Sequence, residues 1–70
     1  MVKKEKPSEF AEGALVAVGI MFRMHDNGVE CKDLMKAMDL FNYDCSGLDE
    51  FDKENLKALS DYENLNLYGV

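Results

Sequence analysis

Residues 8–28, SEFAEGALVAVGIMFRMHDNG, are the part of the chain from which its architecture follows most directly. Serine commonly caps helix N-termini, so Ser8 is the predicted N-cap. Glu9 and Glu12 lie in the predicted first turn, at the positive end of the helix dipole. A long apolar run comes next and closes on Asn-Gly, a pair typical of helix ends. The stretch therefore predicts a first helix over residues 9–26, with Gly28 in the left-handed conformation just beyond its end.

The apolar run within this helix does not predict a membrane span. Residues 14–22 are too few to cross a bilayer, which needs about 20 apolar residues. Arg23 and Asp26 close the run, and no small-residue cleavage site of a signal peptide follows them. We therefore expect a buried helix in a protein that does not bind membranes.

Two further helices and a tail are predicted beyond this point. Apolar residues recur at i, i+3, i+4 and i+7 from Cys31, the spacing of one buried helical face, which predicts a second helix over residues 30–40. A turn-rich segment separates it from a third predicted helix over residues 49–59. Residues 64–68 alternate polar and apolar side chains with period two, which indicates an extended segment packed on the helices. A fourth helical turn from Ser60 is the alternative.

These elements predict an all-α fold, namely one compact three-helix domain with an extended C-terminal tail. The expected organisation is a flexible basic N-terminus over residues 1–7, a helical domain over residues 8–60 and a packed tail over residues 61–70. Seventy residues allow one domain only. A core of this size supplies roughly 3–5 kcal/mol, which argues against a large enzyme with a deep cleft.

The charge of the chain points to the kind of partner that it can bind. The net charge is −6, from 14 acidic and 8 basic residues. From Phe41 onward seven acids face two lysines, so this half carries 2 − 7 = −5. A negative surface repels phosphates and anionic lipids, which excludes direct nucleic-acid binding driven by phosphate contacts and favours a basic protein partner.

Four acids at the start of the third predicted helix are the candidate partner-binding residues: Asp49, Glu50, Asp52 and Glu54. Such a run is either a solvated helix face or a contact with a basic partner. Carboxylates spaced along a helix can occupy a groove built for phosphates, as small acidic inhibitors of the phage type do. We therefore predict a non-enzymatic interaction module that binds and modulates or inhibits a larger protein, for example one that handles nucleic acid.

A row on the first helix is the candidate surface for self-association. Its members are spaced at i, i+4, i+7 and i+11, and they are Glu12, Val16, Gly19 and Arg23. Glycine inside a helix costs about 1 kcal/mol relative to alanine, so Gly19 needs a reason such as the close approach of another backbone. That backbone belongs either to another element of the same chain or to the first helix of a second copy. We expect a homodimer formed through the first helix.

The segment between the second and third helices suggests an alternative function. Four of its residues match positions 1, 3, 5 and 6 of an EF-hand calcium loop, and they are Asn42, Asp44, Ser46 and Gly47. Lys53, however, stands where the loop needs a bidentate glutamate. We predict no metal site and no cofactor, and we keep a cation- or small-ligand-binding domain around residues 42–50 as one alternative. A structural subunit of a larger assembly is another.

Cysteine and histidine usage argues against catalysis and against secretion. Cys31 and Cys45 form no Cys-x-x-Cys pair and are too few for a disulfide framework, so we expect reduced thiols in a cytoplasmic protein. A single intramolecular disulfide is the alternative. The chain has one histidine, His25, and no glycine-rich phosphate loop, so no enzymatic activity is expected.

Overall fold

The computed structural model describes residues 4–70. In this part of the chain it contains three helices: α1 (Glu9–His25), α2 (Gly28–Ala37) and α3 (Glu50–Glu63). The described residues form no strand, only two isolated β-bridges. The predicted all-α three-helix fold is confirmed.

The limits of α1 follow from residues at its two ends. The hydroxyl of Ser8 accepts a hydrogen bond from the backbone N–H of Ala11 at 3.2 Å, as the sequence predicted. The helix stops at Asp26, whose φ of 53° is left-handed and whose N–H donates to the carbonyl of Phe22 at 2.8 Å. The prediction that Gly28 takes the left-handed position after α1 is therefore wrong.

Gly28 instead begins α2, where it lies against the end of α3. A Cβ at this position would stand 2.8 Å from Cδ1 of Tyr62 and 2.8 Å from Oε2 of Glu63. The glycine therefore permits close packing between two helices that are distant in sequence. No local pattern reports such a contact. The predicted start of α2 at residue 30 followed from the assignment of Gly28 to the end of α1.

Helix α2 ends at Ala37, three residues before the predicted residue 40. Asp39 adopts a left-handed φ of 55°. The N–H of Leu40 returns to the carbonyl of Met35 at 2.9 Å, and the N–H of Asp39 donates to that of Lys36 at 3.2 Å. These two bonds form a Schellman motif, with aspartate in the place that glycine usually takes.

Helix α3 is longer than the predicted 49–59 because its buried stripe continues beyond Leu59. Ser60 is also buried, and the helix closes only at Asn64, whose φ of 56° is left-handed. The N–H of Leu65 then bonds the carbonyl of Ser60 at 2.9 Å. The predicted tail of residues 61–70 is accordingly shortened to residues 64–70.

The tail packs on the helices with the predicted period of two. Leu65 and Leu67 point inward, whereas Asn66 and Tyr68 are exposed. Positive φ at Asn64 and Asn66 keeps the segment from forming a strand. The hydroxyl of Ser60 accepts the N–H of Leu67 at 3.1 Å, which fixes the tail to α3.

Both ends of the described chain attach to the segment that joins α2 to α3. The N–H of Asp44 donates to the carbonyl of Glu5 at 2.7 Å, and the N–H of Cys45 donates to that of Tyr68 at 2.9 Å. Lys4 Nζ also donates to Asn42 Oδ1 at 3.2 Å. Residues 4–7 of the N-terminus that the sequence predicts to be flexible thus include two that bond this segment, while its residues 1–3 lie outside the described part.

The core lies between the three helices and the connecting segment. The radius of gyration is 10.8 Å, close to the value of about 11 Å expected for a compact chain of this length. Apolar side chains from every element fill this core, and they are Ala11, Leu15, Val18, Phe22, Cys31, Met35, Leu40, Cys45, Leu48, Leu56, Leu59 and Leu67.

Candidate partner-binding surface

The structure separates the four acids predicted at the start of α3. Asp49 is the N-cap residue and is exposed, although its side chain makes no capping hydrogen bond. Glu50 and Glu54 lie one turn apart on the outer face of the helix and are exposed. Asp52 lies three residues before the buried Asn55, on the inner side of the helix, and is half-buried.

A fifth acid joins Glu50 and Glu54 on the outer face. Asp61 is exposed and follows Glu50 by eleven residues, so it continues the same helical row. We call Glu50, Glu54 and Asp61 the acidic ridge. The i, i+4, i+11 spacing carries this signal, but a helix predicted to end at residue 59 does not include Asp61.

Two lysines moderate the charge of the acidic ridge. Lys57 is exposed and lies in the same helical row, between Glu54 and Asp61. Lys53 Nζ lies 3.0 Å from Glu50 Oε1, and the Glu50 side chain is 85% exposed. An ion pair this exposed contributes little to stability and leaves the carboxylate accessible. A shallow depression of about 340 Å³ lies alongside, and its lining comprises Glu50, Lys53, Glu54, Lys57, Gly69 and Val70.

The predicted self-association row on α1 lies largely against α3. Gly19 is buried, and a Cβ there would stand 3.1 Å from Cβ of Asn55 and 3.5 Å from Cγ of Leu56. Val16 is half-buried and packs on the core. The close approach that Gly19 permits is therefore made within one chain, so Gly19 offers no free surface to a second copy. Glu12 and Arg23, the two ends of the row, are exposed.

Arg23 ties α1 to α3 at the surface. Its Nη1 donates to Oδ1 of Asn55 at 3.4 Å, and its guanidinium carbon lies 4.9 Å from the ring centre of Phe51. A guanidinium over an aromatic face is a cation–π contact, worth about 0.5–1 kcal/mol at an exposed site. Beneath it, the Nδ2 of Asn55 is buried without a hydrogen-bond partner.

The segment that resembles half of an EF-hand loop is organised as a turn. Asp44 Oδ1 accepts the N–H of Ser46 at 2.9 Å, which closes an Asx turn. Lys53, at the position of the missing glutamate, pairs with Glu50. Among residues 4–70 no three His, Cys, Asp or Glu side chains come together in a group that could hold a metal ion.

Both cysteines are free thiols in the core. Burial raises the pKa of Cys31, and the nearby Glu30 raises it further. Burial likewise raises the pKa of Cys45, with a smaller contribution from Asp44. A thiol with a raised pKa stays protonated at neutral pH, which makes it a poor nucleophile. The Cys31 thiol instead donates to Asn27 Oδ1 at 3.3 Å.

A helix can cross a bilayer only if it is both long and apolar enough. None of the helices in residues 4–70 meets both conditions. Neither the protein-family models, nor the curated proteins, nor the solved structures contain a match to this chain.

Proposed function

We propose that this protein is a non-enzymatic interaction module that binds a basic surface of a larger protein through the acidic ridge and thereby modulates or inhibits that protein. The observation that carries the proposal is the exposed row on one face of α3, in which three acids, Glu50, Glu54 and Asp61, outnumber one base, Lys57. The opposite face of the same helix supplies Leu56 and Leu59 to the core. The carboxylates therefore stand on a rigid support, and binding needs little ordering of the backbone.

The spacing of the acidic ridge suits a partner with several cationic side chains in a line. At about 1.5 Å rise per residue, Glu50 and Glu54 are about 6 Å apart along the axis, and Asp61 lies about 10 Å further on. A groove that binds a phosphate backbone is lined by lysines and arginines. A nucleic-acid-handling protein is therefore the class of partner that we favour, with the ridge occupying its phosphate groove.

The net charge, the free thiols and the small size of the protein also support this proposal. A net charge of −6 on 70 residues accelerates encounter with a basic partner and suppresses association with acidic ones. Free thiols at Cys31 and Cys45 support a cytoplasmic location, where glutathione keeps thiols reduced. Small size and negative charge are also what phage-type inhibitors of nucleic-acid enzymes share.

A pull-down with a matched pair of variants tests the proposal. Tagged protein is incubated with nuclease-treated lysate of its source at low and high salt, and captured proteins are identified by mass spectrometry. The ridge variant combines Glu50→Gln, Glu54→Gln and Asp61→Asn. We expect one stoichiometric basic partner that the ridge variant binds about 10- to 100-fold more weakly and that high salt releases.

The control variant removes the same charge from exposed acids elsewhere. It combines Glu30→Gln, Asp33→Asn and Asp39→Asn on and after α2, and asparagine tolerates the left-handed conformation of position 39. The control should retain the partner. Equal weakening by both variants would show that only net charge matters, and undiminished binding of the ridge variant would rule out the ridge as the binding surface.

A further inference from the structure

The face of α1 that points away from the core is apolar along its whole length. Its residues follow one another in steps of three, four, three and four, the spacing of a helix–helix seam. We call this set the α1 stripe, and it consists of Phe10, Gly13, Ala17, Ile20 and Met24.

Within the described chain the α1 stripe is largely open. Phe10 is 75% exposed and Met24 is 69% exposed. A Cβ on Gly13 would meet no atom within 4 Å, and Ala17 is exposed. Ile20 is partly exposed and does not belong to the set that packs on the core. The stripe is thus distinct from the row through Gly19, which α3 covers.

We propose that the α1 stripe binds the α1 stripe of a second copy of this chain, with the two helices antiparallel. The charges beside the stripe set this orientation. Glu9 and Glu12 lie along one flank near its start, and Arg23 lies on the same flank near its end. A two-fold axis between antiparallel helices brings the same flanks together in reversed order, so the acids of each copy face the arginine of the other.

The sizes of the side chains fit the same arrangement. Ala17 is at the centre of the α1 stripe, seven residues from Phe10 and seven from Met24. A two-fold axis near Ala17 therefore places the phenylalanine end of one helix over the methionine end of the other. Gly13 and Ala17 let the backbones approach closely between these ends. A parallel pair would instead set phenylalanine against phenylalanine, and it would place the flank that carries Glu9, Glu12 and Arg23 against the opposite flank of the partner, away from the partner's own charges.

The area available predicts a weak dimer. A helix of 17 residues is about 25 Å long and about 10 Å across with its side chains. Its outer face is smaller than the roughly 800 Å² that each partner contributes to a standard interface. Association should therefore depend on concentration, which sets the range in which it is measured.

Sedimentation equilibrium on the full chain tests the interface. From 10 µM to 1 mM we expect the mass to rise from 7.9 kDa towards 2 × 7.9 = 15.8 kDa. Ala17→Glu places two like charges at the two-fold axis and should weaken association at least tenfold, while circular dichroism shows an unchanged helix content. Ala58→Glu makes the same change at an exposed position of α3 and should leave association intact.

Site-directed cross-linking tests the orientation. Phe10→Cys and Met24→Cys are prepared separately and treated with a short bis-maleimide, alone and mixed, while the buried Cys31 and Cys45 stay unreactive. Only the mixture should cross-link, because equal positions are separated by about 21 Å along antiparallel helices, 14 residues at about 1.5 Å each. Cross-linking of each variant with itself would overturn the antiparallel arrangement.

These outcomes are independent of the acidic ridge, which lies on α3. A monomeric mass at 1 mM, or unchanged association of the Ala17→Glu variant, would overturn the proposed dimer and leave the partner-binding proposal standing. The Ala17→Glu variant retains Glu50, Glu54 and Asp61, so it should still bind the larger partner. Conversely, the ridge variant leaves the α1 stripe unchanged, so its loss of the larger partner would not affect the dimer.

Discussion

At the scale of single residues, the helix ends of this protein use aspartate and asparagine where glycine is more usual. Asp26, Asp39 and Asn64 all adopt left-handed φ values near 55° at the ends of the three helices. Short polar side chains tolerate this region better than other residues, because they can hydrogen-bond locally. Gly28 and Gly69 serve other purposes, namely the close approach of neighbouring elements.

Gly69 shows how strongly a single residue can be constrained. Its φ is +85°, and a Cβ there would stand 2.6 Å from the backbone N of Ser46 and 3.1 Å from that of Cys45. Gly69→Ala should therefore lower the free energy of unfolding by about 1–3 kcal/mol, as measured by urea denaturation. Gly47→Ala is the control, because its Cβ meets nothing within 4 Å, and it should be neutral or slightly stabilising. Equal effects of the two substitutions would contradict the packing of the tail described above.

At the scale of elements, three parts of α3 have three different roles. Its inner face supplies Leu56 and Leu59 to the core, and its outer face presents the acidic ridge. Its last turn holds the tail through Ser60, whose buried hydroxyl accepts the N–H of Leu67. The helix therefore both supports the candidate binding surface and fixes the C-terminal segment.

Removal of the Ser60 hydroxyl should release the tail. In Ser60→Ala the buried N–H of Leu67 loses its acceptor, which costs about 1–3 kcal/mol. Urea denaturation measures the loss of stability, and hydrogen exchange should show the Leu67 amide exchanging faster. Ser46→Ala, at an exposed turn position, should change stability by less than about 0.5 kcal/mol. An unchanged Leu67 exchange rate in Ser60→Ala would show that this bond does not hold the tail.

At the scale of the whole molecule, one connecting segment joins both ends of the described chain. Tyr43 forms a parallel bridge with Glu5, and Asp44 forms another with Tyr68. A domain of 70 residues has a small core, so contacts of this kind add cohesion that the helices alone do not supply. Because the core is small, burial of the α1 stripe against a second copy would increase the stability of the protein.

The segment around residues 42–50 should not bind calcium. The turn uses Asp44 Oδ1 to accept the N–H of Ser46, and Lys53 occupies the position that calcium loops give to a glutamate. A ligand that binds only the folded state raises the melting temperature with concentration. We therefore expect an unchanged melting temperature up to millimolar calcium, as measured by scanning calorimetry, with magnesium as the matched control. A rise that saturates with calcium alone would establish the alternative function.

The sequence by itself determined the features that depend on neighbours within one or two turns. The Ser8 cap, the three helices, the alternation of Leu65 and Leu67 in the tail, and the negative charge could all be read from local patterns. Capping residues and periodicity act over a few positions, so a single sequence carries them completely. Two of the three ridge residues, Glu50 and Glu54, were found in the same way.

Only the tertiary structure decided which faces are covered and where α3 ends. Helix α1 is apolar on nearly every side, so its periodicity could not show that Gly19 lies under α3 while Ala17 is exposed. The contact between Gly19 and Asn55 joins residues 55 − 19 = 36 positions apart, a distance that no local pattern spans. The extension of α3 to Glu63 likewise depends on Ser60, which is buried and holds the tail, and this extension places Asp61 in the acidic ridge.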